Sequence, residues 1–123
     1  MRRLTIIALA LLVAGCAAPV EPDPRVEAIL DRQAVEDTVT ALFVAVDTKD
    51  WTLARSLFTD TIEVDFTSLV GGAPATIPAD GLIAGWSANL AGEKESFHLR
   101  GNHRIAFDGA DRATMVSHGY AWN

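Results

Sequence analysis

The carboxylate of Asp47 and the three histidines, His98, His103 and His118, are the side chains whose types and places could do chemistry. Asp47 lies four residues after Phe43 and one after Val46, near the end of an apolar stripe. A carboxylate there points toward the core side. Desolvation would raise its pKa and a histidine partner would lower it. The plainer assignment for Asp47 is a helix-end residue pairing with the Thr48–Asp50 loop. A histidine, with an unperturbed pKa of ~6.5, passes a proton in either direction near neutrality. The plainer assignment for His98 is a polar residue on a solvated strand face beside Arg100. Three histidines also raise the question of zinc, which needs three or four convergent ligands. No His-x-His or His-Glu-x-x-His spacing exists, so no metal site is expected. Neither Gly71-Gly72 nor Gly101-Asn102 opens a helix with phosphate-loop spacing, and no serine nucleophile elbow occurs.

The elements that must position these groups follow from periodicity. Asp23-Pro24 is a helix start, since Asp caps well and Pro suits the first turn. Val26, Ile29, Leu30, Val35, Val39, Leu42, Phe43 and Val46 then recur at three- and four-residue steps, with one looser gap. That is an amphipathic helix ending around Asp47–Asp50. Asp50 caps a short second helix, Trp51 to Phe58. Thr61 to Phe66 alternates as a half-buried strand, broken by Gly71-Gly72-Ala73-Pro74. A third helix runs from Ala79 to about Leu90 with Leu82, Ile83, Trp86 and Leu90 as its stripe, weakened at Gly81 and Gly85. Ser96 to Phe107 is one long strand, Asp108–Asp111 a turn, and Arg112 to Asn123 the returning strand.

Hairpin register decides which group joins His98. With a two- or four-residue loop, His98 faces Ala121, Asn123 lies diagonally beside it, and His118 shares the other face with His103. With an odd loop His118 joins His98, because a one-residue slip turns every side chain over. Phe66, Trp86, Phe97, Tyr120 and Trp122 read as core by default. Of these, Phe66, Trp86 and Tyr120 are the candidates to line an apolar pocket.

The N-terminus resembles a bacterial lipoprotein precursor. Arg2 and Arg3 precede an apolar run from Leu4 to Val13, too short to span a bilayer, which needs ~20 apolar residues. Leu12-Val13-Ala14-Gly15-Cys16 resembles a lipobox, which implies cleavage before Cys16 and acylation of its thiol. Residues 1–15 are then the signal peptide and 16–24 a Pro-rich tether. Residues 25–123 form the domain. The expected location is the cell envelope, facing the periplasm or exterior. Ala17, rather than Asp, resembles lipoproteins sent on to an outer membrane. Removing residues 1–15 removes two arginines and no acid, so the charge moves from −6 to −8. That excess of acid argues against nucleic acid as a partner and leaves membrane attachment to the acyl chains. Cys16 is the sole cysteine, so no intrachain disulfide can form.

The order helix, short helix, strand, helix, long hairpin is an α+β arrangement. Asp47-Thr48-Lys49-Asp50-Trp51, Leu57-Phe58-Thr59-Asp60, Val64-Asp65-Phe66, Phe97-His98, Gly101-Asn102 and Asp108-Gly109 occur in that order. From Val26 to Asn123 the set resembles the SnoaL-like branch of the nuclear transport factor 2-like superfamily, scytalone dehydratase most of all. The resemblance implies a cone-shaped, curved antiparallel sheet packed on N-terminal helices around an apolar pocket. It also implies two strands beyond Asn123, so the domain is expected to be C-terminally incomplete. It implies that Asp47 orients His98 as the acid/base of a dehydratase, isomerase or cyclase, with Asn123 or His118 as the second group, and no cofactor. Two tyrosines of the dehydratase are Val46 and Phe66 here, which puts dehydration itself in doubt. The ligand expected is a small organic molecule. The rival expectation is a non-catalytic module whose sheet face pairs with a second copy, as a homodimer, or with another envelope protein.

Overall fold

A computed structural model describes residues 23–123. Cys16, the apolar run before it and the tether as far as Pro22 lie outside the described residues.

Helix α1 spans Pro24–Asp47. Its start is the one the sequence indicates: the Asp23 carboxylate accepts from the Arg25 N–H at 2.9 Å, with Pro24 at the first position. Its end is a Schellman motif. The Lys49 N–H donates to the Val46 carbonyl (3.1 Å) and the Asp50 N–H to the Ala45 carbonyl (2.7 Å). Between them Lys49 takes the left-handed conformation, φ 60°. Asp50 then caps α2 (Trp51–Ser56), accepting from the Leu53 N–H at 2.9 Å. This tight turn folds α2 back on α1, and the small side chains of Ala45 and Ala54 are fully buried where the helices meet.

Strand β1 covers Thr61–Val64, two residues shorter than the alternation predicts. The Asp65 carboxylate accepts from both the Thr67 N–H (2.9 Å) and the Thr67 hydroxyl (2.6 Å). That side-chain turn diverts the chain into a helical turn, α3 (Thr67–Val70). Strand β2 (Ala75–Pro78) pairs antiparallel with β1, Thr61 opposite Pro78 and Val64 opposite Ala75. Strand β2 has no signature in the sequence, because four residues ending in Pro leave no alternation to detect. Helix α4 (Ala79–Asn89) follows directly. Its Ile83 packs with Ala45 and Ala54 in the core, against Leu42, Trp51, Phe58 and Trp86. Arg55 of α2 ties the layers together by ion pairs to Asp60 and Asp80.

Strands β3 (Phe97–Phe107) and β4 (Ala113–Trp122) form the long antiparallel hairpin, and α1 packs on β3. Mixed helix and antiparallel sheet with an N-terminal helix on the strands is the nuclear transport factor 2-like fold. The hairpin corrects the expected turn. Five residues, 108–112, separate the strands, and the Asp108 N–H donates to the Arg112 carbonyl at 2.9 Å. Near the turn Phe107 pairs with Ala113 and Arg104 with Val116, the odd-length register. A bulge between Gly101 and Arg104 shifts the register back, so that Gly101 pairs with His118 and His98 with Ala121. Asn102 makes the bulge, with φ 56°.

Candidate functional site

The bulge sorts the histidines. His98, Arg100 and His103 are half-buried and line one cleft between β3 and α1. His103 therefore does not share a face with His118, as the even-loop register would have required. The extra residue at Asn102 turns His103 inward. His118, opposite Gly101, lies on the outer face, where its Nδ1 is 3.2 Å from the Asn102 amide nitrogen. Tyr120 lies on that outer face too, 64% exposed, beside His118 and Leu99. Tyr120 and His118 are thus not brought to His98.

Asp47 and His98 are in direct contact although 51 residues apart. Asp47 is the last residue of α1, and the Schellman turn sets its direction. His98 is the second residue of β3. The His98 backbone N–H donates to Asp47 Oδ2 at 2.9 Å, and the His98 imidazole Nδ1 lies 2.6 Å from Oδ1. The Ser96 hydroxyl donates to the same Oδ1 at 2.9 Å. Both side chains retain only about a fifth of their exposure, 20% for Asp47 and 21% for His98. Burial pushes the Asp47 carboxyl up. The hydrogen bonds from the His98 ring, the His98 backbone and Ser96, with the charge of His98, outweigh it and hold the carboxyl below the ordinary carboxylate value.

An ionised carboxylate only accepts, so the short contact places the imidazole proton on Nδ1. In the neutral ring Nε2 is then left with its lone pair, the form a general base needs. The ring is also held from one face by Phe43, stacked at 5.0 Å between centroids and 5° between planes. Aspartate at one edge and phenylalanine on one face leave the imidazole little freedom to turn.

His98 and Phe43 stand between two clefts. The polar one, about 290 Å³, is lined by Glu36, Thr40, Asp47, Arg100 and His103 with Phe43 and Val44. The apolar one, about 320 Å³, is lined chiefly by Leu42, Val46, Leu69, Trp86 and Leu90, with Asn123 near His98. Asn123 is thus the second-group candidate that reaches the His98 cleft. Trp86 lines it as well, and also a broader groove of about 710 Å³ that holds Phe66. Phe66 itself does not line the His98 clefts, since the turn at Asp65 takes it off the strand. Arg100 escaped the sequence reading as a site residue. Its signal was its place two residues after His98, which puts both on one strand face. Among the described residues no cluster of three or more His, Cys, Asp and Glu is placed to hold a metal.

An Asp–His pair beside an apolar cleft, under a helix laid on an antiparallel hairpin, defines a pocket domain of the nuclear transport factor 2-like class. Residues 27–123 match the model of the SnoaL-like domain, and the chain belongs to that family. It is similar to the Kfla4162 protein from Kribbella flavida, seen in a crystal structure, with a TM-score of 0.69 and 29% identity. That match covers 76% of this chain and 64% of the Kribbella chain, so this sequence spans less than two thirds of its relative. A comparison with curated proteins finds no match.

Proposed function

We propose that the protein is a lipid-anchored SnoaL-like domain that binds a small organic molecule beside His98 and moves a proton on it. Asp47 orients His98 and balances the imidazolium that forms, while Nε2 takes and returns the proton. Elimination, isomerisation and cyclisation all use that step. The observation that supports this reading is the 2.6 Å contact of Asp47 with His98, a residue that also lines an apolar cleft. Such clefts, apolar with a few polar groups, suit small organic ligands. A positioned acid/base contributes about 10²–10⁴-fold. The test is a panel of small apolar ketones and alcohols in deuterium oxide, followed by NMR for turnover or deuterium wash-in next to the carbonyl. His98→Ala should lower the rate on every accepted compound by roughly a hundredfold or more. Unchanged rates in His98→Ala overturn the proposal.

Membrane anchoring rests on the lipobox-like string at Cys16. Its test is detergent-phase partition of the expressed protein with labelled palmitate. Cys16→Ser should abolish both labelling and partition, and a labelled Cys16→Ser protein overturns the assignment.

The rival reading, a non-catalytic assembly module, draws on the outer face of the hairpin, where Phe97, Leu99, Tyr120 and Trp122 are exposed. Apolar area of that kind marks interaction surfaces. Concentration-dependent dimerisation lost in Leu99→Glu would support it.

A further inference from the structure

The polar cleft contains a positive charge that nothing in the proton-transfer reading uses. Arg100 is half-buried and always charged. Its Nη2 donates to the Glu36 carbonyl (2.7 Å) and the Thr40 hydroxyl. Its Nη1 donates to His103 Nδ1 (3.3 Å) and lies 3.7 Å from the Met115 sulfur. All four acceptors are neutral. Among the described residues no carboxylate pairs with Arg100; Arg32, Arg104 and Arg112 are unpaired too, but they are exposed, whereas Arg100 is half-buried. A partly desolvated guanidinium without a counter-charge is costly, and its weakest contact, Nη1 to the Met115 sulfur at 3.7 Å, is the donor that a ligand carboxylate can take over. Because His103 accepts through Nδ1, its proton sits on Nε2, a further donor on a side chain lining the cleft. Asp47 forms no ion pair with Arg100; its carboxylate is bonded to His98 and Ser96 instead. Glu36 lines the cleft and meets Arg100 through its backbone carbonyl, with no ion pair between them.

We infer that Arg100, with His103, is an anion subsite beside His98 and that the ligand is an organic acid: an apolar body bearing a carboxylate. This rests on the reading of the His98 clefts as the ligand site and narrows it to a substrate class. Arg100 and His98, two residues apart on one strand face, are separated by about 7 Å, the reach of a small acid. Glu36 is the competing negative charge, so its removal should strengthen binding.

The test uses the full chain, with benzoate and its neutral analogue benzamide as probes and calorimetric titration as the readout. Benzoate should bind about tenfold tighter than benzamide, the share expected of a charge-assisted hydrogen bond. Arg100→Met should bring the ratio to near one. A merely structural role for Arg100 would weaken both probes alike and leave the ratio unchanged. Glu36→Gln keeps the backbone carbonyl that Arg100 uses and should tighten benzoate alone. If Arg100→Met does not fold, unchanged benzoate affinity in Glu36→Gln overturns the proposal. A wild-type ratio near one overturns it too, and leaves the broader reading standing if benzamide still binds. Inorganic phosphate displacing benzoate equally well also overturns it, since a bare anion site selects no organic acid. Binding of neither probe overturns this proposal, and deuterium wash-in by neutral ketones then decides whether the broader reading fails with it.

Discussion

Asp47 holds His98 at two points, the backbone N–H through one carboxylate oxygen and the imidazole Nδ1 through the other. The double contact couples the start of β3 to the end of α1. It fixes the strand's position and the ring's tautomer with a single side chain.

That contact makes stability depend on acid. The Asp47 carboxyl is held below its ordinary value in the folded chain. In the unfolded chain it titrates near 3.9, so the unfolded state binds the proton first as pH falls. The contribution is fully present above about pH 5 and is lost below about pH 4, as pH drops through the folded value. Thermal melts from pH 7 to pH 3 should show the wild type losing Tm in that lower window. Asp47→Asn should be less stable at pH 7 and lose less on acidification; an equal acid loss contradicts the assignment.

Removing the Asp47 side chain altogether strands the His98 N–H and the Ser96 hydroxyl. Each unsatisfied half-buried group costs about 1–3 kcal/mol at most, so Asp47→Ala should destabilise by a few kcal/mol. Urea unfolding at neutral pH measures it. A change below about 0.5 kcal/mol, the range of ordinary surface substitutions, would mean that water replaces the carboxylate without loss.

The bulge at Asn102 should be sensitive to residue type. Its φ of 56° suits Gly or Asn and is poor for a β-branched side chain. Asn102→Gly should fold with His103 still facing Arg100. Asn102→Val should cost about 1–2 kcal/mol and release His103 from the cleft. Proton NMR of the His103 ring reads the difference, and identical spectra for the two variants contradict the role of the bulge.

The apolar cleft depends on α4. Ile83 is buried against Ala45 and Ala54 and keeps Trp86, on the next turn, at the cleft wall. Ile83→Ala should destabilise by about 2–5 kcal/mol in urea. Trp86 lines the apolar cleft, so Trp86→Leu should weaken binding of apolar compounds more than it weakens the fold.

Local patterns made most of the fold legible in the sequence. The caps at Asp23 and Asp50, the C-terminal half of the α1 stripe and the stripe of α4 are written in neighbouring residues, whereas Val26, Ile29 and Leu30 of the expected α1 stripe are exposed. Asp47 was legible as a carboxylate at the end of an apolar stripe, and His98 as a titratable group on a strand. Their contact was not, since it depends on how a helix end and a strand start meet across 51 residues. The hairpin shows the limit most clearly. The turn has an odd length, which alone would bring His118 to His98. One left-handed residue, Asn102, shifts the register back and turns His103 inward. Two opposing one-residue shifts leave no trace in the hydrophobic alternation. Phe66 was misplaced for a related reason: the Asp65 side-chain turn ends the strand where the alternation continues.

The claim at the centre is that Asp47 holds His98 with its proton on Nδ1 and Nε2 free to act as base. Nitrogen-15 NMR of the imidazole ring, taken over a pH series to reach the neutral form, reads this directly. In the neutral ring the wild type should show a protonated Nδ1 and a bare Nε2 for His98, with the two nitrogens averaging toward one another in Asp47→Asn. A wild-type ring protonated on Nε2 with Nδ1 bare, or a tautomer unchanged in Asp47→Asn, would contradict it.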